Sequence, residues 1–113
     1  MKQVMVRYKV KPEQAARNDE LVRRVYEELQ ETAPAGLRYA TFVLEDGVSF
    51  VHVAANESED GRNPLLDVAA FRAFQEGIGD RCDEPPAAVG WCEVGSYGFW
   101  GGSRPARETS ATG

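Results

Sequence analysis

The middle of the chain carries the pattern that most limits how it can fold. Two stretches of alternating apolar residues, Leu37 to Leu44 and Val48 to Ala55, are separated only by Glu45, Asp46 and Gly47. Alternation with a period of two is typical of half-buried β-strands, and a short connection with Asp and Gly is typical of a hairpin turn. The sequence therefore predicts a β-hairpin from Leu37 to Ala55.

A strand and a helix are predicted before this hairpin. Residues 2–11 alternate between apolar and mixed positions, which predicts a first strand. Pro12 suits the first turn of a helix, where its missing N–H is not needed. The helix should end at Ala33, because Pro34 disfavours the helical conformation of the residue before it.

A second helix and a last strand are predicted after the hairpin. Residues 56–62 are polar and predict an exposed connection, and Asn63 with Pro64 predicts a helix start. The helix is indicated by apolar residues at helical spacing and should end at a pair of glycines: Val68, Phe71, Phe74 and Ile78, then Gly77 and Gly79. Glu84-Pro85-Pro86 predicts a rigid turn, and Ala87 to Trp100 predicts an edge strand interrupted by glycines.

This order of elements predicts a fold class. Strand, helix, strand, strand, helix, strand is the split βαβ, or ferredoxin-like, arrangement. We therefore expect an α+β domain over residues 1–100, with a four-stranded antiparallel sheet and two helices on one of its faces. Residues 101–113 are rich in small and polar residues and lack periodicity, so we expect a flexible C-terminal tail.

Composition limits the partners and the compartment. A chain of 113 residues with 42% hydrophobic content can bury roughly 60–70% of its unfolded surface as one domain. The 13 basic and 18 acidic residues give a net charge of −5 without a basic cluster, so we expect no nucleic-acid partner. No apolar run is long enough to span a membrane, and no signal-like segment begins the chain. We expect a cytoplasmic protein with no membrane partner.

The two cysteines, Cys82 and Cys92, are too few for a disulfide framework and lack the spacing of a zinc site. A reducing compartment favours free thiols, although a bridge between them would close a short loop. We expect no bound metal.

The polarity of the hairpin predicts which sheet face is open. Val51, Val53 and Ala55 are all apolar and are predicted to meet the helices, whereas Phe50 and His52 belong to the alternate set. The open face would then carry Met5, Phe50, His52 and Trp91, and an apolar face of this kind is rarely left in water. We therefore expect a second copy of the chain to cover it.

The chain resembles the dimeric α/β barrel superfamily, which includes antibiotic-biosynthesis monooxygenase-like and stress-responsive barrel domains. The resemblance rests on the order of elements over residues 2 to about 100, on Gly36-Leu37-Arg38-Tyr39 after a proline, and on the helix with Phe71 and Phe74. It implies a homodimer whose sheets pack face to face, with a small-molecule pocket beside the open sheet face. Haem-degrading members use a histidine on the second helix, which is absent from residues 68–78, so we expect no haem and no other cofactor.

The resemblance also implies a small-molecule function. Some members are cofactor-independent monooxygenases, so this chain could act on an aromatic or polyketide-like metabolite. Such an enzyme needs a base and hydrogen-bond donors for an oxyanion. His52 is the predicted catalytic base, and the predicted substrate-binding residues are Arg7, Tyr39, Phe50, Trp91 and Glu93.

Less specific interpretations of the same residues remain open. His52 could be a hydrogen-bonded interface residue without chemistry, and the chain could be a non-catalytic ligand-binding or structural dimer. Glu93, Arg7 and His52 could form one row across the open face, in which Arg7 lowers the pKa of the carboxylate. Glu93 and Arg7 could instead form an ordinary surface ion pair.

Overall fold

The computed structural model describes residues 2–57 and 62–99, and it has the predicted ferredoxin-like architecture. The strands are β1 (Lys2–Val10), β2 (Leu37–Val43), β3 (Ser49–Asn56) and β4 (Cys82–Gly90). The helices are α1 (Ala15–Thr32), α2 (Ala69–Gln75) and α3 (Ile78–Arg81), with 3₁₀ turns at Pro12–Gln14 and Pro64–Asp67. The sheet is antiparallel with the order β2-β3-β1-β4. The predicted tail, residues 101–113, and the domain boundary at residue 100 lie outside the described residues.

The hairpin lies within one residue of its predicted bounds. Its turn is held by Asp46, whose carboxylate accepts hydrogen bonds from the backbone N–H groups of Val48 and Ser49 and from the Ser49 hydroxyl. These bonds favour the charged form and lower the pKa of Asp46 to about 2. An Asp followed by a glycine at φ 77° therefore explains why the chain reverses at this point.

Helix α1 ends where the sequence predicts. Ala33 adopts a left-handed conformation with φ 43°, and its N–H donates to the Leu29 carbonyl oxygen. This is the usual way in which a helix satisfies its last carbonyl groups.

The second predicted helix is divided into three short pieces. Val68 is extended between the 3₁₀ turn and α2, and Gly77 takes a left-handed conformation with φ 75° between α2 and α3. The prediction that Gly77 and Gly79 both end the helix is wrong for Gly79, which lies inside α3. These breaks fold residues 64–81 compactly against the sheet.

The last strand begins earlier than predicted. Pro85 and Pro86 are part of β4, where the sequence predicted a turn, and the strand ends at Gly90. An edge strand tolerates proline because one side of its backbone has no strand partner. Gly90 pairs with Val4, close to the start of β1, so residues beyond it have little partner strand left. The prediction of strand structure over residues 91–99 is therefore wrong, and Trp100 lies outside the described residues.

The sheet faces are the reverse of the predicted ones. Tyr8 and Val10 of β1 are buried under the helices, and the strand register places Phe50 opposite Tyr8 and His52 opposite Val6. Directly paired residues share a face. Phe50 and His52 therefore meet the helices, whereas Val51 and Val53 lie on the open face with Met5 and Arg7.

Candidate functional site

A cavity of about 450 Å³ lies between the sheet and the segment with α2 and α3. This volume is in the range of small-molecule sites. The sheet contributes seven side chains to the walls: Val4, Val6, Tyr8, Tyr39, His52, Ala54 and Pro86. The opposite wall is mostly apolar and includes Leu65, Leu66, Phe71, Phe74 and Ile78. The cavity is therefore suited to an apolar ligand that carries one polar group.

His52 is the centre of the polar part of this cavity. Its Nε2 atom lies 2.7 Å from the Tyr8 hydroxyl, and its Nδ1 atom lies 2.7 Å from the Tyr39 hydroxyl. The Thr41 hydroxyl lies 3.1 Å from the same Nδ1 atom and 2.7 Å from the hydroxyl of Tyr26. Both imidazole nitrogens are thus within hydrogen-bond distance of hydroxyl groups.

The cluster continues from Tyr8 into buried polar residues. Asn18 of α1 is fully buried, and its Nδ2 atom donates to the Tyr8 hydroxyl over 2.9 Å. Arg81, at the end of α3, donates from Nε to the Oδ1 atom of Asn18 over 3.2 Å. The Arg81 guanidinium also donates to the carbonyl oxygens of Phe74 and Glu76. A hydrogen-bonded chain therefore runs from Arg81 to Tyr39.

Aromatic rings hold these polar groups in place. Phe50 stacks on Tyr8 with 5.5 Å between ring centroids, and Tyr26 stacks on Tyr39 at 5.3 Å. The Phe74 ring lies 5.3 Å from the imidazole of His52. Such contacts restrict the rotamers of the hydrogen-bonding side chains.

Burial controls the protonation state of the cluster. It lowers the pKa of His52 to about 4, because the charged imidazolium is poorly solvated inside the protein. It also raises the pKa values of Tyr8, Tyr26 and Tyr39 well above the usual range of tyrosine. At neutral pH the site therefore holds a neutral imidazole and protonated tyrosine hydroxyls.

The chain is similar to several solved structures. It is 20% identical to an antibiotic biosynthesis monooxygenase, with a TM-score of 0.60 over 84% of this chain and 100% of that one. The NE2512 protein of unknown function from Nitrosomonas europaea is 18% identical, with a TM-score of 0.64 over 84% and 90% of the two chains. SnoaB, a cofactor-independent oxygenase from Streptomyces nogalater, is 14% identical, with a TM-score of 0.59 over 83% and 93%.

The chain has the ferredoxin-like α+β fold of antibiotic biosynthesis monooxygenase-like proteins. No protein-family model matches its sequence, and no curated protein matches it. The ferredoxin-like fold predicted from the sequence is thus confirmed by the sheet topology and by this structural similarity.

The structure brings together only part of the predicted site. His52 and Tyr39 share the cavity, and Phe50 is buried beside Tyr8 in the adjoining core. Arg7 is exposed on the other face of the sheet, and Glu93 is exposed beyond β4, where it accepts a hydrogen bond from Ser96. The possible row of Glu93, Arg7 and His52 therefore does not form, because the sheet separates His52 from Arg7.

Trp91 is also absent from the cavity, although it is a predicted substrate-binding residue. It follows β4 and does not line the cavity, and its indole Nε1 atom is buried without a hydrogen-bond partner among the described residues. The pocket was expected beside the open sheet face but lies beneath the helices of the same chain.

Sequence reasoning missed five polar members of the cluster: Tyr8, Asn18, Tyr26, Thr41 and Arg81. Tyr8 could have been found from β1, where Val4, Val6, Tyr8 and Val10 form the less polar set and indicate the core face. Asn18 and Arg81 are separated by 63 positions, and no sequence pattern links them.

Two absences can be stated for the part of the chain that the structure describes. Within residues 2–57 and 62–99, no three His, Cys, Asp or Glu side chains are grouped so that they could hold a metal ion. No helix in these ranges is both long and apolar enough to cross a membrane.

Proposed function

We propose that this barrel binds a small aromatic or polyketide-like molecule and acts on it as a cofactor-independent monooxygenase. One observation carries the proposal: an apolar cavity of about 450 Å³ contains a neutral histidine between two tyrosine hydroxyls. The similarity to SnoaB, which is named as a cofactor-independent oxygenase, supports the same class of reaction.

The proposed chemistry begins with removal of a proton from the substrate. A carbanion beside an aromatic ketone can transfer electrons to O₂ without a cofactor, and its negative charge is carried mainly by the ketone oxygen. His52 is the proposed base, because its imidazole is neutral at pH 7 and its Nε2 atom lies 2.7 Å from the hydroxyl of Tyr8, which lines the cavity. One tyrosine hydroxyl can pass the substrate proton to the imidazole while the other donates a hydrogen bond to the developing oxyanion.

Anthrone is a suitable probe, because its CH₂ group is flanked by two aromatic rings and lies opposite a ketone. Its oxidation is balanced as C₁₄H₁₀O + O₂ → C₁₄H₈O₂ + H₂O. We expect the protein to consume one O₂ for each anthrone converted to anthraquinone, measured with an oxygen electrode and mass spectrometry. His52→Gln should lower this rate roughly 10²- to 10⁴-fold, as loss of a general base usually does.

Gln30→Glu, an exposed change on α1, is the control and should behave as wild type. A wild-type rate equal to the protein-free oxidation of anthrone would contradict the oxygenase proposal.

A non-catalytic ligand-binding dimer is the second candidate. It is favoured by the fact that both imidazole nitrogens already have hydroxyl partners, as in a purely structural cluster. Saturable binding of an aromatic ketone without consumption of O₂ would support this alternative.

We further propose a homodimer formed through the open sheet face, in a reducing cytoplasmic compartment. The face is largely apolar in its centre, with Met5, Val51 and Val53, and its outer residues Phe42 and Val89 are exposed in the single chain. The two free thiols, Cys82 and Cys92, are consistent with a reducing compartment.

A further inference from the structure

Arg81 and Asn18 are buried polar residues that the proposed reaction does not use directly. Arg81 is only 8% exposed, and no carboxylate among the described residues forms an ion pair with it. Its guanidinium donates instead to carbonyl oxygens and to Asn18. Burial of an unpaired charge lowers the stability of a protein, so a buried arginine without an ion pair indicates a role for its hydrogen bonds.

The direction of each hydrogen bond in this cluster follows from the chemistry of its donors. A guanidinium has no acceptor, so the Asn18 atom that faces Arg81 must be the carbonyl oxygen Oδ1. The other amide atom, Nδ2, must then donate to Tyr8. Arg81 thereby fixes the orientation of the Asn18 amide.

The same reasoning continues through Tyr8. Its hydroxyl has two polar neighbours, Asn18 Nδ2 and His52 Nε2. Because it accepts from Asn18, its single proton is satisfied only if it points to Nε2. The opposite arrangement would leave a buried O–H without an acceptor, which costs more than the bond itself contributes. Tyr8 therefore donates to Nε2.

A neutral imidazole carries one proton, so the remaining nitrogen, Nδ1, must hold it. Nδ1 then donates to the Tyr39 hydroxyl at 2.7 Å, or more weakly to Thr41 at 3.1 Å. The Thr41 hydroxyl is already bonded to that of Tyr26. Tyr39 accepts from His52, and its own proton can be directed either to the neighbouring Thr41 hydroxyl or into the cavity that Tyr39 lines.

We propose that Arg81 and Asn18 are positioning residues that fix His52 as its Nδ1–H tautomer and leave the Tyr39 hydroxyl to donate to a ligand. This inference rests on the proposed function and makes it more specific. The site should prefer a ligand that presents an acceptor oxygen, such as an aromatic ketone, over one that presents an N–H or O–H donor. In the proposed reaction, Tyr8 relays the proton to Nε2 and Tyr39 stabilises the oxyanion.

The tautomer can be measured directly, because His52 is the only histidine of the chain. Long-range ¹H–¹⁵N correlation spectra distinguish protonated from unprotonated ring nitrogens and need no residue assignment here. We expect the wild-type protein at pH 7 to show a protonated Nδ1 and an unprotonated Nε2. The Nε2–H tautomer in the wild type would overturn the proposal, whatever any variant does.

Asn18→Asp tests whether Asn18 sets this direction. The introduced carboxylate can only accept, so it would take the proton of Tyr8 and leave that hydroxyl to accept from Nε2. We expect the spectrum to change to the Nε2–H tautomer. Gln30→Glu adds the same charge at an exposed position of α1 and should leave the spectrum unchanged. An Asn18→Asp protein that folds and keeps the wild-type tautomer would contradict the role of Asn18.

Ligand preference is tested with fluorenone and carbazole, two planar tricyclic molecules of similar size. Fluorenone presents only an acceptor, and carbazole presents only an N–H donor. We expect fluorenone to bind about 3- to 10-fold more tightly, as one net hydrogen bond allows, and Tyr39→Phe to remove the difference. Equal binding of both probes by the wild type would overturn the proposed preference but not the binding function.

If neither probe binds, the proposed binding function fails, and the wild-type tautomer still decides the inference about Arg81 and Asn18.

Discussion

At the scale of single residues, His52 determines how the site responds to pH. Its imidazole titrates near 6.5 in the unfolded chain and near 4 in the folded protein, because burial disfavours the charged form. Between these values the unfolded state binds more protons. The stabilising contribution of neutral His52 is therefore complete above pH 6.5 and is lost as the pH falls towards 4.

This difference in pKa makes the free energy of unfolding depend on pH. We predict that His52 lowers the free energy of unfolding by about 1.4 kcal/mol for each pH unit between 6.5 and 4. Urea denaturation at pH 7 and pH 5 measures it, with His52→Gln as the reference, since that variant keeps every carboxylate. A pH dependence that is the same in both proteins would contradict the burial of a neutral imidazole.

At the scale of elements, α2 depends on a residue of α1. The Glu28 carboxylate accepts hydrogen bonds from the backbone N–H groups of Ala69 and Ala70, at 3.1 and 2.9 Å. Val68, which precedes α2, has no side chain that could cap the helix. Glu28 therefore caps the element that brings Phe71 and Phe74 to the cavity.

We predict that Glu28→Gln destabilises the protein by about 1 kcal/mol and weakens fluorenone binding, because α2 loses a charged cap. Glu27→Gln is the matched control, since Glu27 is its exposed neighbour with the same charge. Thermal unfolding and fluorenone titration measure both effects. Equal losses in the two variants would show that charge, rather than the cap, is responsible.

The sequence predicts the elements well because each depends on local signals. Asp46 and Gly47 mark the hairpin turn, and Pro34 marks the end of α1. The sheet faces are a different case, because both sets of side chains in the centre of β3, residues 50–55, are apolar except for His52. The register of β3 on β1, which pairs His52 with Val6, determines which face meets the helices. Register depends on contacts between residues far apart in the sequence, so local patterns do not predict it.

The residues of the site were likewise predicted only where local sequence patterns indicate them. His52 and Tyr39 were predicted because they are conspicuous in a short strand pair, 13 positions apart. Asn18 and Arg81 were missed because they meet only after α1 and α3 pack on the sheet. Glu93 was placed wrongly because the end of β4 depends on where β1 begins, which local composition does not determine.

At the scale of the whole molecule, the proposed dimer is formed through the open sheet face. Phe50 lies in the core, so Phe50→Glu would unfold the chain and would not report on association. Val53 lies in the centre of the open face and pairs with Met5 and Ala40. It is the better position for a test.

We predict a wild-type mass in sedimentation of roughly twice 12.5 kDa, and dissociation by Val53→Glu, because an unpaired charge would be buried between the sheets. Val43→Glu is the control, since Val43 is 50% exposed and lies on the helix side at the end of β2. A monodisperse wild-type monomer at micromolar concentration would rule out the dimer.

The central claim is that a small aromatic molecule binds beneath the helices with its polar atom at the Tyr39 end of the His52 cluster. A crystal structure of the protein with fluorenone tests it most directly. We predict electron density for the ligand between β3 and α2, with its ketone oxygen within hydrogen-bond distance of the Tyr39 hydroxyl. Density on the open sheet face with an empty cavity, or a ketone oxygen directed away from Tyr39 and His52, would contradict the claim.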